Sequence, residues 1–69
     1  MEDIDSWMEK LEQAEEQIAA AHTVLAELQS ELKDAGRKKD MMAIAEVVDR
    51  LARYGRLFED IRSSWTEST

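Results

Sequence analysis

The fold is decided by residues 4–35, which read IDSWMEKLEQAEEQIAAAHTVLAELQSELKDA. Apolar residues recur in this stretch at every third or fourth position: Ile4, Trp7, Leu11, Ala14, Ile18, Ala21, Leu25, Leu28, Leu32 and Ala35. This spacing is that of one face of an α-helix. The stretch is therefore predicted to form one long amphipathic helix, about residues 4–35, whose apolar stripe must pack against another element.

A second helix is predicted over about residues 41–64, after a short turn at 36–39. Gly36 follows the apolar stripe directly, where a glycine often ends a helix, and Asp40 is the expected N-cap of the second helix. A connection this short implies antiparallel helices, in which position i faces roughly position 75 − i. Residues 65–69 are expected to form a polar tail.

The first helix is expected to start at one of two caps. Ser6 and Glu9 match a capping box, and Asp3 is the competing N-cap. Both place the start between residues 3 and 6.

The two helices are expected to meet along a seam of large apolar residues. A second apolar line on the second helix, formed by Val47, Tyr54 and Ile61, lies beside this seam and would stay exposed in a lone hairpin. The sequence therefore predicts an all-α antiparallel two-helix hairpin that dimerises into a four-helix bundle. A parallel coiled-coil dimer of one continuous helix is the alternative, which Gly36 disfavours. The predicted seam consists of Ile4, Leu11, Ile18, Leu25, Leu28, Leu32, Ile44, Val48, Leu51 and Phe58.

Charge is distributed unevenly along the chain. The net charge is −7, and the first 35 residues hold ten acids and two bases whereas the remainder is close to neutral. An acidic surface of this kind favours a basic protein partner and argues against general binding to nucleic acid. The chain has no cysteine and no apolar run of about 18 residues, so a cytoplasmic protein without a membrane span is predicted.

The pattern of polar residues does not indicate catalysis. His22 is the single histidine, and a di-iron motif would need an acid three positions before it, where the chain has Ala19. Glu12, Glu15 and Glu16 form an acidic cluster, but a two-helix chain offers little cleft in which two carboxylates could act as an acid and a base. No enzymatic activity, metal or cofactor is predicted.

Three kinds of side chain are candidates for binding a partner. Exposed aromatic side chains anchor many interfaces, and unpaired acids would attract a basic protein. The arginines of the second helix, which include Arg62, could instead bind phosphates, although acids four positions away in the sequence can neutralise their charge. The candidates are Trp7, Tyr54 and Trp65, the acids Glu12 and Glu16, and the arginines Arg50, Arg53 and Arg56.

The function predicted from these features is that of a non-enzymatic regulator that masks a surface of a partner protein, such as a basic DNA-binding regulator. In size and class the chain resembles the small helical phage proteins that block host regulators. In architecture alone it is similar to plasmid repressor-of-primer proteins, dimeric hairpins that bind paired RNA loops. An RNA- or DNA-binding hairpin and a structural subunit of a larger helical assembly are the alternatives.

Overall fold

The computed structural model describes residues 3–67 and consists of two helices. Helix α1 spans Ile4–Asp34 and helix α2 spans Lys38–Glu67, and they pack side by side as an antiparallel hairpin. The molecule measures 54 × 15 × 14 Å, and no strand occurs in the part of the chain that is described. The predicted all-α hairpin is thereby confirmed.

Asp3 is the residue that caps α1. Its carboxylate accepts a hydrogen bond from the backbone N–H of Ser6 at 3.2 Å, and its carbonyl accepts one from the backbone N–H of Trp7 at 3.1 Å. The Asp3 carboxylate thus satisfies one of the N–H groups that a helix start leaves without partners, and the Asp3 carbonyl accepts the first bond within the helix. Of the two predicted caps, Asp3 is the correct one, and Ser6 lies within the first turn of the helix.

A Schellman motif ends α1. The N–H of Gly36 donates to the carbonyl of Lys33 at 3.1 Å, and the N–H of Arg37 donates to the carbonyl of Leu32 at 2.9 Å. This pattern requires a left-handed backbone at the residue after the C-cap, and Gly36 has a φ of 76°. The prediction that Gly36 terminates the first helix is confirmed.

The start of α2 differs from the prediction. The carbonyl of Arg37 already accepts a hydrogen bond from the N–H of Met41 at 2.9 Å, so α2 begins at Lys38 rather than near residue 41. Asp40, the predicted N-cap, lies instead in the first turn, where its carboxylate accepts a hydrogen bond from Arg37 Nε at 2.6 Å. Arg37, whose carbonyl accepts the first bond of α2, therefore occupies the N-cap position in place of Asp40.

The end of α2 also lies beyond its predicted position at Ser64. The helix continues to Glu67, so residues 65–67 of the predicted polar tail are helical. The hydroxyl of Thr66 donates to the carbonyl of Arg62 at 3.0 Å within this last turn. Residues 68 and 69 of the predicted tail lie outside the described residues.

The register of the helices agrees with the predicted pairing of position i with roughly position 75 − i. The residue numbers of three pairs that cross the hairpin sum to 72, 73 and 77. These pairs are Trp7 with Trp65 (ring centroids 6.1 Å apart), Ile18 with Gly55, and Glu15 with Arg62 (Oε2 to Nε, 3.1 Å). The two tryptophans therefore meet at the open end of the hairpin, in agreement with this pairing.

Helix α1 is rotated relative to the predicted seam. The residues of α1 that are spaced seven apart and include Ile4 and Ile18 are half-buried. A second line with the same spacing, which includes Glu15 and His22 and lies four positions after the first, is also half-buried. Leu28, a predicted seam residue, and Trp7 of the apolar stripe lie at the edge of the contact between the helices and are 37% and 43% exposed. The rotation brings Glu15 against Arg62 in α2, and the other predicted seam residues are half-buried between the helices.

Candidate protein-interaction surfaces

The hairpin contains no fully buried residue anywhere in residues 3–67. Its seam residues are covered on one side by the opposite helix and remain partly open to solvent on the others. A domain normally surrounds its core with two or more layers of structure. The described hairpin has one layer, so its apolar side chains remain partly exposed to solvent.

Exposed apolar side chains are concentrated on one side of the hairpin. Tyr54 and Leu57 of α2 are 50% and 52% exposed, and Val24 and Leu28 of α1 are also exposed. At 100° per residue, these positions and their helical neighbours project toward the same side of the antiparallel pair. We call this side the apolar face, and it comprises Trp7, Ala14, Ala21, Val24 and Leu28 of α1 with Val47, Tyr54, Leu57 and Ile61 of α2.

Small and large residues lie opposite each other across the apolar face. The register places Ala21 beside Tyr54 and Ala14 beside Ile61, since each pair of numbers sums to 75. Tyr54 is exposed, whereas Ile61 and both alanines are half-buried. The face thus has a ridge along α2 and a trough along α1 at the same levels.

The predicted second apolar line of α2 is part of this face. Val47 and Tyr54 are exposed as expected, and Ile61 is half-buried near the open end. The sequence interpretation missed Val24 and Leu57. Their spacing could have identified them, because Val24 is three positions after Ala21 and Leu57 is three positions after Tyr54.

The opposite side of the hairpin forms a shallow groove. It is lined by the small residues Ala19, Ala52 and Gly55 and by His22. The Glu15–Arg62 ion pair lies at one end, with Glu59 beside it. His22 forms no hydrogen bond or ion pair with any residue between 3 and 67. The groove therefore offers one imidazole and one ion pair, and the hydroxyl of Thr23 beside His22 donates to the carbonyl of Ala19 at 3.1 Å.

Four acids form a continuous stripe along the first half of α1. Asp5, Glu9, Glu12 and Glu16 are three or four residues apart and all are exposed. None of them forms an ion pair within residues 3–67. We call this set the acidic stripe. It lies roughly half a turn around α1 from the line of Trp7 and Ala14, so the acidic and apolar surfaces are on opposite sides of the helix.

The arginines of α2 are mostly paired with acids. Arg50 bonds Glu46 at 2.7 Å and Arg53 bonds Asp49 at 2.9 Å, which confirms two predicted pairs within the helix. Arg62 is directed across the hairpin to Glu15. Arg56 forms no ion pair within residues 3–67, so the expected contact with Asp60 is not formed.

The two tryptophans contact each other rather than standing apart. The rings of Trp7 and Trp65 have an interplanar angle of 49° and a centroid separation within the usual range for aromatic pairs. Trp65 is half-buried, whereas Trp7 remains exposed at the edge of the apolar face. The pair closes the open end of the hairpin and extends the apolar face to that end.

Among residues 3–67, no three histidine, aspartate or glutamate side chains converge in an arrangement that could hold a metal ion. Neither helix, over the same residues, is both long and apolar enough to cross a membrane.

Comparison of the chain with protein families, with characterised proteins and with solved structures gives no match. The function is therefore inferred from the surfaces of the hairpin.

Proposed function

We propose that the protein is a non-enzymatic binding protein that uses the acidic stripe to attach to a basic surface of another protein and mask it. The observation that supports this proposal most directly is the lack of ion-pair partners for Asp5, Glu9, Glu12 and Glu16 within residues 3–67. A DNA-binding regulator is one class of partner with a suitable basic surface. We assign the protein to the cytoplasm, which agrees with its lack of cysteine.

The acidic stripe is costly for the isolated helix. Like charges three or four residues apart destabilise a helix by roughly 0.2–0.5 kcal/mol per pair. Asp5–Glu9, Glu9–Glu12 and Glu12–Glu16 are three such pairs. Only Asp5 is in the first turn of α1, where the helix dipole favours an acid most. A basic partner would relieve this repulsion, and the same field would accelerate its approach.

The arginines of α2 support nucleic-acid binding less well. Arg50 and Arg53 are neutralised by acids on their own helix, and Arg62 is committed to Glu15. Of the four arginines that could bind phosphates, only Arg56 forms no ion pair within residues 3–67, and affinity for nucleic acid rises with the number of phosphates contacted.

The proposal can be tested with two variants that change the net charge equally. The first variant, Glu9→Gln/Glu12→Gln/Glu16→Gln, removes three charges from the acidic stripe. The control removes three exposed acids further along α1, with Glu27→Gln, Glu31→Gln and Asp34→Asn. Each immobilised protein would be incubated with lysate of the native host at low and at high salt, and the retained proteins would be identified.

The expected result is a basic protein that the wild type and the control retain at low salt and that the stripe variant loses. Equal retention by both variants would assign the binding to another surface. No specific retention by the wild type at any salt concentration would refute the proposed function.

A further inference from the structure

We infer that the apolar face is the surface on which a second copy of this chain binds, so that two hairpins stack into a four-helix bundle. This inference concerns a different surface from the acidic stripe and does not depend on the partner proposed above. It rests on the area, the charge and the shape of the face.

The area of the face is sufficient for a stable dimer. From Trp7 to Leu28 the face is roughly 32 Å long, and two helices side by side are about 20 Å wide, which gives about 600 Å² per copy. Two copies would bury about 1,200 Å², at the lower end of the range for specific interfaces. Since none of residues 3–67 is fully buried in the single hairpin, this contact would also supply the missing second layer.

The charge distribution favours this face for pairing two identical acidic chains. Each copy has a net charge of −7, so two copies can approach closely only through a surface that carries few acids. The charged residues that share a helical line with members of the apolar face are few and have both signs. Lys10 and Glu31 lie in line with Val24, and Arg50 lies in line with Leu57.

The opposite side of the hairpin is unsuitable for self-association. It carries Glu59 and the acidic stripe, and Glu15 of that side already binds Arg62. Pairing two copies there would bring acids of one copy against acids of the other. Like charges juxtaposed across an interface are strongly unfavourable.

The shape of the face is compatible with binding a copy of itself. A two-fold interface uses the same patch on both subunits, so each patch must carry both the projections and the recesses. Tyr54 and Ile61 provide the ridge, and Ala14 and Ala21 provide the trough beside it. The ridge of one copy can therefore fill the trough of the other.

The wild-type chain itself permits a direct test, because Tyr54 is its only tyrosine and lies near the centre of the face. Sedimentation equilibrium over a range of concentrations would give the mass, and brief iodination at the same concentrations would report the accessibility of Tyr54. We expect a monomer–dimer equilibrium in which iodination of Tyr54 decreases in parallel with dimer formation. A monomer at every concentration, or a dimer in which Tyr54 is iodinated as readily as in the monomer, would overturn the inference.

A pair of substitutions provides an independent test. Tyr54→Glu places a charge in the centre of the face, whereas Met42→Glu places one at a residue that is 61% exposed and lies off the face. We expect Tyr54→Glu to raise the dissociation constant of the dimer on the order of 100-fold or more, because a carboxylate would be buried without a partner. Met42→Glu should leave it within a few-fold of the wild type. A Tyr54→Glu protein that dimerises as tightly as Met42→Glu would refute the assignment of the face.

Discussion

Replacing Gly55 by alanine should stabilise the hairpin, although Gly55 lies where the two helices meet. A glycine inside a helix costs about 1 kcal/mol relative to alanine, mainly because the unfolded chain has more backbone freedom to lose. A Cβ atom added at Gly55 would lie 3.9 Å from Ile18 Cγ2, which is an ordinary van der Waals distance. No steric penalty therefore offsets the gain in helix propensity.

The expected effect of Gly55→Ala is a gain of about 1 kcal/mol in the free energy of unfolding. For a chain of this length, that corresponds to a rise of roughly 4–8 °C in Tm. The measurement is thermal and urea unfolding followed by far-UV circular dichroism. All proteins must be compared at one concentration, because self-association would shift their apparent stability.

Gly36→Ala is the matched control for this experiment. Space is not limiting there either, since no atom lies within 4 Å of the position of an added Cβ. Gly36 has a φ of 76°, however, a conformation that costs an alanine roughly 1–2 kcal/mol. The same substitution should therefore stabilise at 55 and destabilise at 36, and the two effects should add in the double variant because the sites are distant. Destabilisation by Gly55→Ala would mean that Ile18 and Gly55 are closer than the structure shows.

Two further pairs of substitutions test contacts of α1. Asp3→Ala should lower the free energy of unfolding by about 1 kcal/mol, because the Asp3 carboxylate caps the helix. Ser6→Ala should have little effect, because Ser6 contributes only its backbone N–H to this cap. Equal effects of the two substitutions in urea titrations would contradict the assignment of Asp3 as the cap. Glu15→Gln should cost about 0.5–1 kcal/mol, since Glu15 is half-buried against Arg62, and Glu16→Gln should change stability by less. A urea midpoint shifted as much by Glu16→Gln as by Glu15→Gln would argue against the cross-helix pair.

The sequence predicts most of the fold because its strongest signals are local. The apolar spacing of residues 4–35 specifies a helix, and Gly36 is the residue that can adopt the left-handed backbone of the turn. Asp40 shows where local preference fails. It has a good N-cap side chain, but the backbone after the Schellman motif is already helical at Lys38, so Asp40 falls within the first turn.

The rotation of α1 could not be predicted from periodicity. The lines through Trp7 and through Glu15 flank the line through Ile18 at similar angles on the helix. The apolar pattern favours the line through Trp7, because the other line contains Glu15, His22 and Gln29. The choice depends on the partner helix, where Arg62 contacts Glu15 across the hairpin. The extent of the apolar face could not be predicted from periodicity either, since the exposure of Leu28 follows from the rotation of α1.

The two surfaces assigned to this hairpin should respond to salt in opposite directions. Binding of a basic protein to the acidic stripe is a long-range electrostatic attraction, which weakens as the screening length falls from roughly 10 Å at 0.1 M salt to 3 Å at 1 M. Pairing of two copies joins chains that each carry a net charge of −7, and screening reduces the repulsion between them. Burial of apolar side chains such as Tyr54 is not weakened by simple salts.

Sedimentation equilibrium at about 0.05 M and about 0.5 M sodium chloride should therefore show a dimer that is equally tight or tighter at the higher concentration, while retention of a basic partner decreases. A dimer that dissociates as salt is added would contradict the apolar face as the interface. It would indicate instead that ion pairs join the two copies. The acidic stripe of one copy would then contact a basic segment of the other, such as Lys38 and Lys39 near the turn. In that case the acidic stripe would be occupied in the dimer, and a basic partner would have to displace one copy to bind.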